Sequence, residues 1–143
     1  MQLSTKSEYA LLALLELAGH YATGEPLQIR QIAADQAIPD RYLEQLLATL
    51  RRSGLVRSQR GAKGGYLLAR EPWNISLLEV LSSVEGLGTQ APLPPTASLS
   101  SLVVHGVWRE AQEAADTVLK GYTLQDLATQ REAKQQADIM YYI

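Results

Sequence analysis

From Tyr9 to Ala18 the chain is apolar at nearly every position, broken only by Glu16. Thr5-x-x-Glu8 stands in front of this run as a capping box. A helix apolar on all sides belongs inside a core, so a central buried helix is predicted, ending between Gly19 and Gly24. The pattern then becomes one-sided. Ile29, Ile32 and Ala33 fall at helical spacing on a short segment, about 28–37, and Ile38-Pro39-Asp40 makes a turn. After it Leu43, Leu46, Leu47 and Leu50 form one stripe, leaving Arg41, Glu44, Gln45, Thr49 and Arg52 for the other faces. Two short helices joined by a tight turn, the second with a polar outer face, make a helix-turn-helix.

Gly54 has the place of a helix-ending glycine. Leu55-Val56 and Tyr66-Leu67-Leu68 read as paired strands around the turn Gly61-Ala62-Lys63-Gly64-Gly65. Ser76-x-x-Glu79 is a second capping box, opening a helix through Leu77, Val80, Leu81 and Val84 to Gly86. Pro92, Pro94 and Pro95 make 87–98 an irregular loop. A long helix over about 99–120 follows, with Leu99, Val103, Val107, Ala111, Ala114 and Val118 at steps of four and three. That is close to a heptad seam, the pattern of a helix lying along another helix. Gly121 ends it, Thr123-x-x-Asp126 caps a last short helix, and the tail from Ala133 carries no strong period. The fold class is therefore mainly α with a small β-hairpin. Residues 1–86 form a winged helix-turn-helix, 87–98 a loop, and 99–143 a dimerisation helix, a short capping helix and a tail.

Charge sharpens this picture. Residues 41–70 hold Arg41, Arg51, Arg52, Arg57, Arg60, Lys63 and Arg70 against Glu44 alone, so 7 − 1 = +6 in a chain of net charge -2. Over 1–70 nine basic residues meet six acidic ones; over 71–143 four meet nine. A basic patch on a helix and hairpin suits a phosphate backbone, because each neutralised phosphate releases condensed counterions. A winged-helix module for protein partners is the alternative, although such a module has no need of six net positive charges.

Several classes are excluded. No apolar run approaches the roughly 18 residues of a membrane span, and MQLSTKSEYA lacks the basic and apolar regions of a secretion signal. A cytoplasmic protein is expected. The absence of cysteine excludes disulfides, thiol catalysis and thiolate metal sites. GAKGG lacks the GK[ST] ending of a phosphate-binding loop. No acid, base and nucleophile assemble, so no enzyme is expected.

The segments YLEQLL (42–47), Leu50-Arg51 with GLV (54–56), SxRGxxGGYLLAR (58–70) and ISLLEV (75–80) resemble the transcription regulators IscR, NsrR and CymR. The resemblance runs from the Tyr9 helix to the Thr123 cap. It implies a homodimer of winged helix-turn-helix chains whose long helices cross, and makes 87–98 the equivalent of the family's cluster-binding loop. Cluster-binding members hold an iron–sulfur cluster there with three cysteines. His105-x-x-Trp108 is similar to the stretch that includes a non-cysteine ligand in IscR. This chain departs from that pattern: Leu102 stands where one cysteine is expected, and one imidazole does not hold a cluster. No cofactor is expected.

The resemblance also places Glu44 and Gln45 where bases are touched. A carboxylate accepts from cytosine N4 and an amide bonds adenine; a solvated helix face is the plainer reading. Arg41 shares that face, and Arg51 and Arg52 end the helix where phosphates lie. Arg60 and Lys63 mark the wing tip, where Arg suits a narrow minor groove, or else only keeps a turn soluble. His105 is read as a core or interface imidazole rather than a metal ligand, and Trp108 as a packing anchor. The expected function is a homodimeric, sequence-specific regulator binding double-stranded DNA. An effector, small molecule or protein, would act at 87–98; a metal sensor through His105 is the remaining alternative.

Overall fold

The computed structural model describes residues 2–86 and 92–141. Among these are six α-helices and one antiparallel hairpin, which packs against α1 and α3. Part of the expected 87–98 loop, residues 87–91, lies outside the described residues; 92–98 is irregular.

Helix α1 spans Thr5–Gly19 and buries Ala10, Ala13, Leu14 and Leu17. Its cap is Ser4, not Thr5: the Ser4 hydroxyl accepts the Ser7 backbone N–H at 3.1 Å. The expected box is one residue off because Ser4 also reaches a tertiary partner, the Glu85 carboxylate. Helix α2 spans Ile29–Gln36 and ends at Ala37, a left-handed residue at φ 53°. Helix α3 spans Asp40–Arg52, with Asp40 favourably placed against its N-terminal dipole. Leu43, Leu46, Leu47 and Leu50 are all buried, as their stripe predicts. Each such burial is worth roughly 1.5–3 kcal/mol, so this stripe fixes the helix's rotation. Gly54, at φ 79°, closes α3 with a Schellman pair: Gly54 N–H bonds Arg51 C=O and Leu55 N–H bonds Leu50 C=O, both at 3.0 Å.

Strand β1 (Val56–Gln59) pairs with β2 (Gly65–Leu68), Val56 opposite Leu68 and Gln59 opposite Gly65. Leu27 adds a bridge to Tyr66, with bonds of 2.8 and 3.0 Å, so the wing rests on the segment before α2. A single 3-10 turn, Pro72–Asn74, leads to α4 (Leu77–Glu85), which ends at left-handed Gly86. Ser76 caps α4 through the Glu79 N–H at 3.1 Å. The reciprocal half of that box is not made, because the Glu79 carboxylate pairs with Arg70.

Helix α5 spans Leu99–Gly121 and α6 spans Leu124–Tyr141. The expected short last helix is thus long, and most of the unassigned tail belongs to it. Its start is the expected box: Thr123 N–H bonds Asp126 Oδ2 at 2.9 Å and Asp126 N–H bonds Thr123 Oγ1 at 3.1 Å. Leu124 and Ala128 are buried, and α6 packs on α1 and on the 3-10 turn. Backbone bonds from Leu77 to Tyr122 and from Leu124 to Ile75 tie the starts of α4 and α6 together.

Candidate nucleic-acid interface

Burial of the α3 leucines turns the opposite face outward, and Arg41, Glu44 and Gln45 are exposed on it. Arg51 and Arg52 are exposed in the last turn. The Arg52 guanidinium donates to Thr49 Oγ1 at 3.2 Å, and that hydroxyl donates to the Gln45 carbonyl at 3.2 Å. Arg60 and Lys63 are exposed at the hairpin turn. The helix end and the wing meet through one contact that residue patterns alone did not reveal: Arg51 Nη1 donates to Ser58 Oγ at 3.4 Å. Strand alternation held the signal, since Ser58 shares the face of buried Val56.

Two of the seven basic residues counted in 41–70 leave this surface. Arg70 is paired with Glu79 and donates to the Asn74 carbonyl oxygen. Arg57 lies on the other hairpin face, opposite Leu67, beside a small hollow with His20, Tyr21 and Glu25. Five cations (Arg41, Arg51, Arg52, Arg60, Lys63) then accompany Glu44 within 41–70, so 5 − 1 = +4; with Asp40 at the start of α3 the helix and wing tip together carry +3.

The wing turn depends on two glycines. A Cβ on Gly64 would lie 2.3 Å from the Gln59 carbonyl oxygen, and one on Gly65 2.4 Å from that of Leu27. Nothing larger than glycine fits either position without moving backbone.

His105 and Trp108 are both exposed on α5, which removes the core reading of His105 and leaves Trp108 unburied by its own chain. Among the described residues no three His, Asp or Glu side chains group where they could hold a metal ion. No described helix is long and apolar enough to cross a membrane.

A family model described as "Rrf2: Iron-dependent Transcriptional regulator" matches residues 3–130. The chain belongs to the Rrf2 family. It is similar to the HTH-type transcriptional regulator CymR of Bacillus subtilis, 37% identical over 145 residues and 100% of both chains. It is 34% identical over 141 residues to the HTH-type transcriptional regulator IscR of Xenorhabdus nematophila, covering 96% of this chain and 85% of that one. Among solved structures it is similar to CymR, the global cysteine regulator of B. subtilis, at a TM-score of 0.78 and 34% identity, over 90% of this chain and 97% of that one. IscR of T. potens matches at a TM-score of 0.79 and 36% identity, over 94% and 91%. The Rrf2 fold and the winged helix agree with the architecture above, and the chain is a DNA-binding transcription regulator rather than an enzyme. The iron in the family's description finds no matching donor set here, since the chain has no cysteine and its described residues gather no alternative ligand group.

Proposed function

We propose that this Rrf2 chain is a homodimer that reads specific duplex DNA and works without an iron–sulfur cluster. The carrying observation is helix α5. It packs one side on α4 and fully buries none of its 23 residues, and Leu99, Val103, Val107 and Val118 of its seam are 58–78% exposed. Apolar surface gathered in one stripe is a mark of an interaction site, and the heptad-like spacing of Leu99, Val103, Val107, Ala111, Ala114 and Val118 fits a second α5. A two-fold pair sets two α3 helices about one DNA turn apart, ~34 Å, and calls for a pseudo-palindromic operator.

In this reading Arg41, Arg51, Arg52 and Lys63 hold phosphates, Glu44 and Gln45 read base edges, and Arg60 enters the minor groove. The missing thiolates support the cluster-free state. Control then falls to a small ligand or protein partner near 87–98, or to the amount of protein present in the cytoplasm.

Sedimentation tests the dimer. Val107→Asp places an unpaired charge in the seam and is expected to convert a dimeric parent to monomer, at a cost of several kcal/mol. A parent that is already monomeric at working concentrations overturns the proposal. Protein purified without oxygen is expected to be colourless; stoichiometric iron and sulfide with visible absorbance would refute the cluster-free part.

A further inference from the structure

Glu16 interrupts the apolar face of α1, and its side chain is only 16% exposed. One oxygen, Oε1, serves two other helices. It accepts from the Gln36 amide, on the last residue of α2. It also lies 3.6 Å from Arg131 Nη1, on α6. Gly19, one turn along α1, leaves room for this arrangement: a Cβ there would lie 3.2 Å from Arg131 Nη2.

We infer that Glu16 is a positioning residue for DNA reading, joining the C-terminal helix to the end of the first helix of the helix-turn-helix. Gln36 directly precedes left-handed Ala37, the pivot into α3. A non-glycine residue in that conformation is held by its surroundings rather than by its own preference. Arg131 follows α5 through the Thr123 cap, which is tied to the start of α4. A displacement of α5 and α6, by dimer contacts or by an effector, therefore reaches the α2–α3 turn through one carboxylate.

The ion pair alone is loose, at 3.6 Å, and its Arg131 side is about a third exposed, so its direct Coulomb energy is small. Its role lies in orienting the carboxylate that Gln36 engages. This rests on the reading that the protein binds specific DNA, and the test separates the two. The full-length protein first selects a duplex from random oligonucleotides. Affinities for that duplex and a scrambled one are then measured for the parent, Arg131→Ala, Arg131→Lys, Glu16→Gln and the Arg131→Ala/Glu16→Gln double variant. Arg131→Ala is expected to weaken the selected duplex about five-fold, with scrambled-duplex affinity, salt slope and sedimentation unchanged. Arg131→Lys should restore most of the loss, and the double variant should be no worse than the poorer single one. If selected and scrambled duplexes weaken together, or neither changes, the positioning role is overturned. If the selection enriches no sequence, the proposed specific reading fails and takes this inference with it.

Discussion

The Arg70 guanidinium is paired with the Glu79 carboxylate, strapping the exit of the wing to the first turn of α4. The hydrogen bond to Glu79 is the main reason the Arg70 pKa rises above its usual value. Both side chains are more than a third exposed, at 39% and 38%, so the pair contributes about 0.2–1 kcal/mol. Arg70→Ala is therefore expected to lower stability in urea by that amount. It should leave the slope of log affinity against log salt unchanged, because the Arg70 guanidinium is engaged by Glu79 and the Asn74 carbonyl. A slope that falls by about one phosphate's worth would return Arg70 to the DNA surface.

Gly65 gives a second prediction. It has φ 153°, and a side chain there meets the Leu27 backbone that supports the wing. Gly65→Ala combines strain with collision and is expected to cost on the order of 1–3 kcal/mol. Gly61, at φ 109°, faces open space, so Gly61→Ala carries strain alone and about 1 kcal/mol. Thermal unfolding of the two variants gives the ranking. Equal losses would mean that close approach to Leu27 does not matter.

The α3 stripe was legible because a 3.6-residue period and a one-sided core say the same thing. Its polar complement holds five of the candidate DNA residues, Arg41, Glu44, Gln45, Arg51 and Arg52, and the basic turn of the hairpin holds the other two, Arg60 and Lys63; all seven are exposed. What escaped depends on tertiary partners. Glu79 fits a capping box by spacing, but its carboxylate turns to Arg70, nine residues back. The cap of α1 falls on Ser4 rather than Thr5, and Ser4 is also held by Glu85, 81 residues away. The tail was unreadable for a different reason: beyond Ala128 no α6 residue is buried, so there is no apolar stripe to detect. Ala, Gln, Glu, Lys and Met still favour helix there. Of the two places open to His105, core or interface, its exposure on α5 removes the core, because its apolar neighbours Val104 and Val107 face outward rather than into the chain's own core.

Glu85 offers a pH test. Hydrogen bonds from the hydroxyls of Ser4 and of Ser7, the latter at 2.8 Å, hold its carboxyl below the ordinary range. A carboxylate with a depressed folded pKa stabilises the fold above its unfolded value, near ~4.3. That contribution is lost as pH falls through the folded value. Glu85→Gln is expected to lower stability at neutral pH and to converge with the parent in acid. Urea midpoints at a series of pH values measure this; a gap that stays constant into acid would mean the carboxylate charge is not what the serines hold.

The last prediction separates grip from reading. Arg52 is exposed at the end of α3, and in the proposed function it holds phosphate whatever the sequence. Arg52→Ala should weaken all duplexes alike and flatten the salt slope by about one phosphate's worth. Glu44 is the lone carboxylate in 41–70, and its repulsion of phosphate opposes binding. Glu44→Ala should leave non-specific affinity unchanged or slightly raised, while discrimination at one or two base pairs relaxes by about 1–3 kcal/mol. Arg60→Ala should do some of both, since an arginine in the minor groove responds to groove width as well as charge. Competition titrations of the three variants against matched and mismatched duplexes, at two salt concentrations, resolve these patterns. A uniform loss of affinity in Glu44→Ala, with base preference intact, would remove the exposed face of α3 from base reading.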